Sequence, residues 1–377
     1  MNFLIFLFFL PPTDSVFVKV TFIANVPPFT PDNKIYLASN YNGWNPSDST
    51  YTLKQIDEYK YEMSLWLPEG YMLEYKFTRG SWLKVEKGRY GEEIPNRLLH
   101  VKKDTTVYVQ IENWRDLVEE SSKKHTVTGN VVTFEIKSKY LRYYNPRKIW
   151  VYLPKDYQFS KKRYPVLYMH DGQNLFDDFE SFAGEWHVDE ILEQMHAEKG
   201  FSLIVVGIEN AREYRIEEYT PFYNTNFSRG GEAEYYLKFI IDELKPYIDE
   251  NFRTIPDEAA ILGSSLGGLV SIYAGYKYPE VFKFVGSMSG AFWYNPEIIQ
   301  FLSNCKKHPD KVYLDWGTKE GERPEFYVLH NKNVLQIIRK IGPKGKNLLW
   351  FEDPDGIHHE SAWSKRLKHA LDFLFSK

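Results

Sequence analysis

Cysteine is nearly missing: Cys305 alone occurs in 377 residues. That excludes an internal disulfide and any cysteine-rich metal site. Basic charge is not in excess either. The net charge of -4 at pH 7 leaves no electrostatic footprint for nucleic acid. Long apolar runs are absent as well. The run from Asn2 to Leu10 ends at Pro11-Pro12, too short to span a bilayer as a helix. It resembles the apolar core of a secretory signal but lacks the positive leading region and a clear cleavage site. Residues 1–13 are therefore read as an atypical or remnant export signal, with a periplasmic or extracellular protein as the expectation.

Hydrophobic residues at 43% and charged residues at 26% are ordinary for a folded globular protein. The length suggests two domains. Aromatics reach 17%, and many of the tyrosines and tryptophans stand in polar, loop-like stretches. That distribution fits sugar- or aryl-binding surfaces as well as core.

Residues 14–112 read as short strands: Val16 to Phe22, Ile35 to Ala38, Tyr61 to Leu65, Leu73 to Phe77 and Thr106 to Gln110. Turns at Asn42-Gly43, Pro68-Glu69-Gly70 and Arg79-Gly80 separate them. Short alternating strands without a helical period predict a small antiparallel, immunoglobulin-like β-sandwich. The charge-rich stretch 113–124, with Glu119-Glu120 and Lys123-Lys124, reads as a linker.

From residue 125 to 377 the pattern changes. An entry pair of strands, Gly129 to Ile136 and Arg147 to Leu153, precedes strands at Tyr164–Met169, Leu203–Ile208, Phe284–Ser287, Lys311–Asp315 and Leu348–Phe351. Helical patterns lie between: Val188–His196, Ala233–Ile248, Asn333–Ile341 and a last helix from Ser361. Such alternation predicts an α/β fold with a mostly parallel sheet covered on both faces.

Gly263-Ser264-Ser265-Leu266-Gly267 falls between the apolar run Ala259–Leu262 and the helical pattern from Gly268. A G-x-S-x-G at a strand-to-helix turn exposes one serine Oγ at the end of the sheet. Only the frame centred on Ser265 carries both glycines, so Ser265 is the candidate nucleophile. The backbone amide of Leu266 supplies one donor for a developing oxyanion. The loop His170-Asp171-Gly172-Gln173-Asn174 supplies the other through Gln173, which leaves His170 a structural hydrogen-bonding role. The base should follow the last strand, where His358-His359 stand. Without an H-E-x-x-H spacing the pair does not read as a zinc motif, and His358 is the candidate. For the acid, the loop Gly317 to Gly321 offers Glu320, Asp315 stands at the end of the preceding strand and Asp353 is a third option, with Glu320 favoured. The order serine, acid, histidine is that of the α/β-hydrolase fold.

Two resemblances follow from these residues. Tyr36-Leu37-Ala38-Ser39, Asn42-Gly43-Trp44, Leu67-Pro68-Glu69-Gly70, Glu74-Tyr75-Lys76-Phe77 and Ser81-Trp82 through Asn96-Arg97 resemble starch- and glycogen-binding modules. In such modules exposed tryptophans stack on sugar rings, which Trp44 and Trp82 could do if they do not pack inside the sandwich. The stretch Lys84 to Glu93 is longer and more charged than that pattern.

His170 to Phe176, Gly263 to Gly268, Gly317-Thr318-Lys319-Glu320 and His358-His359-Glu360 with Trp363 resemble an esterase family. It includes the feruloyl and acetylxylan esterases of carbohydrate esterase family one and the siderophore (enterochelin) esterases. The resemblance implies an α/β-hydrolase fold, with Ser265 as nucleophile, His358 as base and the Gln173 and Leu266 amides as oxyanion hole. Feruloyl esterases carry an aspartate where Glu320 stands. Trp82, Trp186 and Asn210 are the substrate-binding candidates. No metal or organic cofactor is implied. The expected substrate is an acyl or feruloyl ester on a polysaccharide, with a siderophore trilactone as the alternative. Arg212, Arg215 and Arg229 could then form a basic pocket. A non-catalytic glycan-binding protein on the same fold is the reading from another class.

Overall fold

Alternation along β1 (Phe17–Asn25) turns Val18, Val20, Phe22 and Ala24 inward and leaves Phe17 and Lys19 exposed, the period of a half-buried strand. The computed structural model describes residues 16–31, 34–89, 91, 94–118, 125–321 and 323–376. The export-signal reading of residues 1–13 and the run 119–124 fall outside them. The chain divides into two units, Met1–Ser122 and Lys123–Lys377.

In the first unit, β2 (Ile35–Ser39), β3 (Thr52–Asp57), β4 (Lys60–Pro68), β5 (Met72–Thr78), β6 (Glu86–Lys87), β7 (Arg97–His100), β8 (Thr105–Gln110) and β9 (Asn113–Trp114) follow β1. Seven of these strands run in the order β7-β5-β2-β3-β4-β1-β8. Phe22 of β1 meets Tyr75 and Phe77 of β5 at ring distances of 5.0 and 6.4 Å, although β1 and β5 are not neighbours in that order. The strand array therefore folds over on itself around one core, as a sandwich does.

Two expectations are corrected. The array is not purely antiparallel, because β8 pairs parallel to β1. Residues 113–118 are not linker. Asn113 and Trp114 pair with Lys87 and Glu86, and Trp114 is fully buried in the core. The start of the charged stretch after Trp82 is likewise folded in: the buried Glu86 carboxylate accepts bonds from Arg97 Nε at 3.0 Å and from the Phe77 amide at 2.8 Å.

In the second unit the strands are β10 (Asn130–Ile136), β11 (Arg147–Leu153), β12 (Tyr164–Met169), β13 (Ile204–Ile208), the short pair β14 (Tyr223–Asn224) and β15 (Arg229–Gly230), β16 (Thr254–Ser264), β17 (Phe284–Met288), β18 (Lys311–Gly317) and β19 (Leu348–Asp353). Eight of them form a sheet in the order β10-β11-β13-β12-β16-β17-β18-β19. The entry strands pair antiparallel. From β13 to β19 every pairing is parallel.

The helices are α1 (Val188–Lys199), α2 (Arg215–Tyr219), α3 (Ala233–Phe239), α4 (Lys245–Asn251), α5 (Leu266–Lys277), α6 (Ile298–Ser303), α7 (Pro324–Ile341) and α8 (Glu360–Leu374). Alternate residues of one central strand go to opposite cores. Val166 and Tyr168 join the cluster built with α3, α5 and α7. Leu167 and Met169 join the cluster built with α1 and α8. Both faces are thus covered, which is why these strands read as continuous apolar runs.

The single helix expected over Ala233–Ile248 is interrupted. Ile240–Leu244 form a π-turn between α3 and α4. Pro246, in the first turn of α4, has no amide to continue an unbroken ladder. Among the described residues no helix is long and apolar enough to cross a membrane.

Candidate active site

The turn from β16 into α5 holds Ser265 at φ 56° and ψ -123°. A non-glycine residue in this region is strained by about 1–3 kcal/mol and persists only when its surroundings impose it. Here they do. The Ser265 amide donates to Met288 O at 3.0 Å, and its carbonyl accepts from Ala291 at 2.9 Å. A Cβ on Gly263 would stand 2.7 Å from His170 Cδ2 and 2.8 Å from the Gly267 carbonyl carbon, so the turn closes only with glycine there. Ser265 itself is half-buried. Leu266 is the first residue of α5, and its amide has no carbonyl one turn back to bond.

The neighbouring strand β12 delivers the second loop. Asp171 takes a left-handed φ of 57° and starts a 3-10 turn over Gly172–Asn174. The bonds of that turn are made by the Asn174 and Leu175 amides, which leaves the Gln173 amide out of them. The turn is held from behind. Arg215 Nε and Nη2 donate to the two Asp171 oxygens at 2.7 and 2.8 Å, and Asn210 Nδ2 donates at 2.7 Å. Burial pushes the Asp171 carboxyl up, but the Arg215 guanidinium outweighs it and holds the group below the usual range. His170 is buried between Tyr236 Oη at 2.8 Å and Ser271 Oγ at 3.1 Å. Burial lowers its pKa to about 3, so it stays neutral and structural.

In the loop beyond β18 stands Glu320, which is fully buried. Its Oε2 lies 3.0 Å from His358 Nδ1. Its Oε1 accepts the Gly317 amide at 2.5 Å and the Ser289 hydroxyl. Burial pushes the Glu320 carboxyl up, yet the His358 bond and charge, together with the Ser289 and Gly317 bonds, prevail and lower it.

The structure thus brings Glu320 to His358 and the other two acid candidates elsewhere. Asp315 accepts from Tyr313 Oη at 2.9 Å and lies 3.1 Å from Arg366 Nη2, an ion-pair distance without the alignment of a hydrogen bond. Burial raises its pKa to about 6 against the pull of Arg366. Asp353 is 3.1 Å from Arg366 Nη1. His359 caps α8, its Nδ1 accepting the Ser361 amide at 3.2 Å, so the two adjacent histidines do separate work.

Two residues escaped the sequence reading. Ser289, at φ 50°, follows β17 and donates to Glu320 while accepting Trp363 Nε1 and Arg366 Nη2, each at 2.9 Å. That uses its donor and both lone pairs. Arg366 links Ser289, Asp315 and Asp353 and is itself buried. A lone serine and a helical arginine carry no motif; only the fold reveals them. Replacing Arg366 by methionine would leave Asp315 buried beside Glu320 without its cation. A loss of about 3–5 kcal/mol is expected, read as a lower denaturation midpoint in guanidinium, with substantial recovery in the R366M/D315N double variant.

The substrate-binding candidates are corrected in part. Trp186 is only 3% exposed. Its ring lies 5.6 Å from that of Trp363, which stands edge-on to His358 at 5.0 Å. Trp186 therefore backs the site and presents no face to a ligand. Asn210 is buried with Nδ2 on Asp171 and Oδ1 on the Arg212 amide, and it braces the turn that follows β12. Trp82, in the first unit, is half-buried and lies 6.3 Å from the half-buried Trp44 ring.

The three arginines do not form a free basic pocket. Arg215 is paired with Asp171, Arg229 with Glu217 and Arg212 with Glu209.

Three likenesses accompany this geometry. Over 244 residues the chain is 30% identical to the uncharacterized protein YbbA of Bacillus subtilis, covering 61% of this chain and 93% of that protein. A 133-residue stretch in the N-terminal part is 38% identical to an amylopullulanase of Thermoanaerobacter thermohydrosulfuricus, 33% of this chain but only 9% of that protein. A solved ferulic acid esterase superposes with a TM-score of 0.51 at 22% identity, over 66% of this chain and 98% of its own, and so shares the fold. Residues 142–374 match the model of the family described as "Putative esterase". The chain belongs to that esterase family.

Proposed function

We propose that this esterase is a serine enzyme that works through an acyl-enzyme, and that it removes acyl or feruloyl groups from a polysaccharide. The observation that carries the reading is the bond of buried Glu320 to His358 Nδ1 at 3.0 Å, taken together with a serine held in a strained strand-to-helix turn. Glu320 fixes the imidazole with Nδ1 protonated, leaving Nε2 to take the Ser265 proton as Oγ attacks the ester carbonyl. The Gln173 and Leu266 amides receive the oxyanion. His358 returns its proton to the leaving alcohol, and water, activated by the same ring, releases the acid. Every step uses groups of this chain.

The polysaccharide half of the reading rests on the first unit. Its N-terminal likeness to an amylopullulanase and its paired, half-buried Trp44 and Trp82 suit the stacking of sugar rings.

The test compares initial rates on p-nitrophenyl acetate, methyl ferulate and a catechol-type cyclic trilactone, with retardation of the protein in gels containing starch or xylan. Hydrolysis of the two simple esters, and retardation lost in W82A, is expected. Turnover of the trilactone alone would replace the substrate assignment with the siderophore alternative. Glycan retardation without any hydrolysis would favour the binding-protein reading.

A further inference from the structure

Away from Ser265, acidic side chains and a histidine converge where the chain enters α1. Donor atoms of Glu185, His187 and Glu190 all lie within 4.8 Å of one another. His187 Nδ1 is 3.3 Å from Glu185 Oε2 and 3.6 Å from Glu190 Oε1. Donors held at the bond lengths usual for zinc stand about 3.3 Å apart in a tetrahedron.

The buried carboxylates here are only partly satisfied. The Glu185 side chain is 1% exposed; its Oε2 accepts Thr126 Oγ1 at 2.7 Å, and its Oε1 has no hydrogen-bond partner. Asp189 is fully buried. Its Oδ2 accepts the Thr128 and Gly129 amides at 2.7 and 3.2 Å, while its Oδ1 is unpartnered, as is Glu190 Oε2. Burial, then Asp189, pushes the Glu190 carboxyl up to about 7.

The positive end of α1 accounts for acidic residues in its first turn. It does not account for carboxylate oxygens left buried without a donor, which folded proteins rarely tolerate.

We propose that Glu185, His187 and Glu190, backed by Asp189, form a divalent-cation site of the zinc type. Carboxylate oxygens with one imidazole nitrogen suit zinc better than calcium or magnesium, which favour all-oxygen shells. The half-exposed His187 gives the ion a way in. A bound cation cross-links two pieces of chain, because Thr126, Thr128 and Gly129 already tie the approach to β10 onto Glu185 and Asp189. It also fixes Trp186, which lies between two of the ligands and supports Trp363 beside His358. The site is structural and separate from the Ser265 chemistry.

The experiment titrates zinc chloride into chelator-treated full-length protein by calorimetry, with melting curves with and without zinc or calcium. One equivalent of zinc should bind and raise Tm, calcium should not, and S265A should behave as wild type. H187A, whose side chain is half exposed and so should fold, and E190Q should each weaken zinc binding by at least about tenfold and abolish the Tm rise. H100A, at an exposed histidine on β7 of the other unit, controls for a surface histidine and should change nothing. No heat and no Tm rise at hundreds of micromolar zinc would overturn the proposal. Binding unaltered in H187A and E190Q would overturn it too. A proton shared between Asp189 and Glu190 in place of a metal would appear as a higher Tm in E190Q with no zinc response in wild type, and would likewise overturn it.

Discussion

Ser265→Ala is expected to lower kcat/KM for p-nitrophenyl acetate by about 10⁵–10⁶-fold, the scale seen when a serine hydrolase loses its nucleophile. A residue of activity above water should remain, because in the proposed mechanism the Gln173 and Leu266 amides would still polarise a bound carbonyl. The substitution deletes one oxygen from a half-buried side chain and leaves the turn bonds of Ser265 to Met288 and Ala291 in place. The melting temperature should therefore stay within a degree or two of wild type. Steady-state rates and a melting curve on the same preparation check both halves. A loss smaller than about tenfold would remove Ser265 from the mechanism.

Glu320→Gln is expected to lower kcat by about 10³–10⁴-fold with little change in KM, the size of effect seen when a triad carboxylate becomes an amide. The local bonding gives the reason. Glu320 Oε1 is held by two donors, the Gly317 amide and the Ser289 hydroxyl. A glutamine keeps its carbonyl oxygen there and turns its NH₂ toward His358 Nδ1. The imidazole must then carry its proton on Nε2, the nitrogen that should accept from Ser265. Glu320→Asp keeps the charge and shortens the arm by one methylene, so it should retain far more activity. Equal loss in both variants would mean that Glu320 acts only by packing.

Much of this arrangement was legible in the sequence because it depends on local chemistry. The elbow needs glycine at Gly263, where a Cβ would stand 2.7 Å from His170. The central strands announced themselves because both faces are buried, so Tyr164–Met169 and Ile204–Ile208 contain almost nothing polar.

Interactions between distant segments were not legible. Three acidic residues lay within loop reach of His358, and only the tertiary pairing of Arg366 with Asp315 and Asp353 separates them from Glu320. Trp186 and Asn210 flank the candidate site loops, yet one packs against Trp363 and the other anchors Asp171. β3 was overlooked because Lys54 to Asp57 are all exposed and Lys54-Gln55 are both polar, giving no alternation to read. The strand at Thr106 to Gln110 was legible but its parallel direction was not, because a strand's own sequence does not reveal the direction of its partner.

The most direct test of the account is to treat the protein with diethyl p-nitrophenyl phosphate and locate the adduct by peptide mass spectrometry while following esterase activity. The account predicts one diethylphosphoryl group per chain, on Ser265, with activity lost in proportion to labelling and no adduct in S265A. An adduct on another residue that tracks inactivation, or ester turnover that survives complete labelling of Ser265, would contradict it.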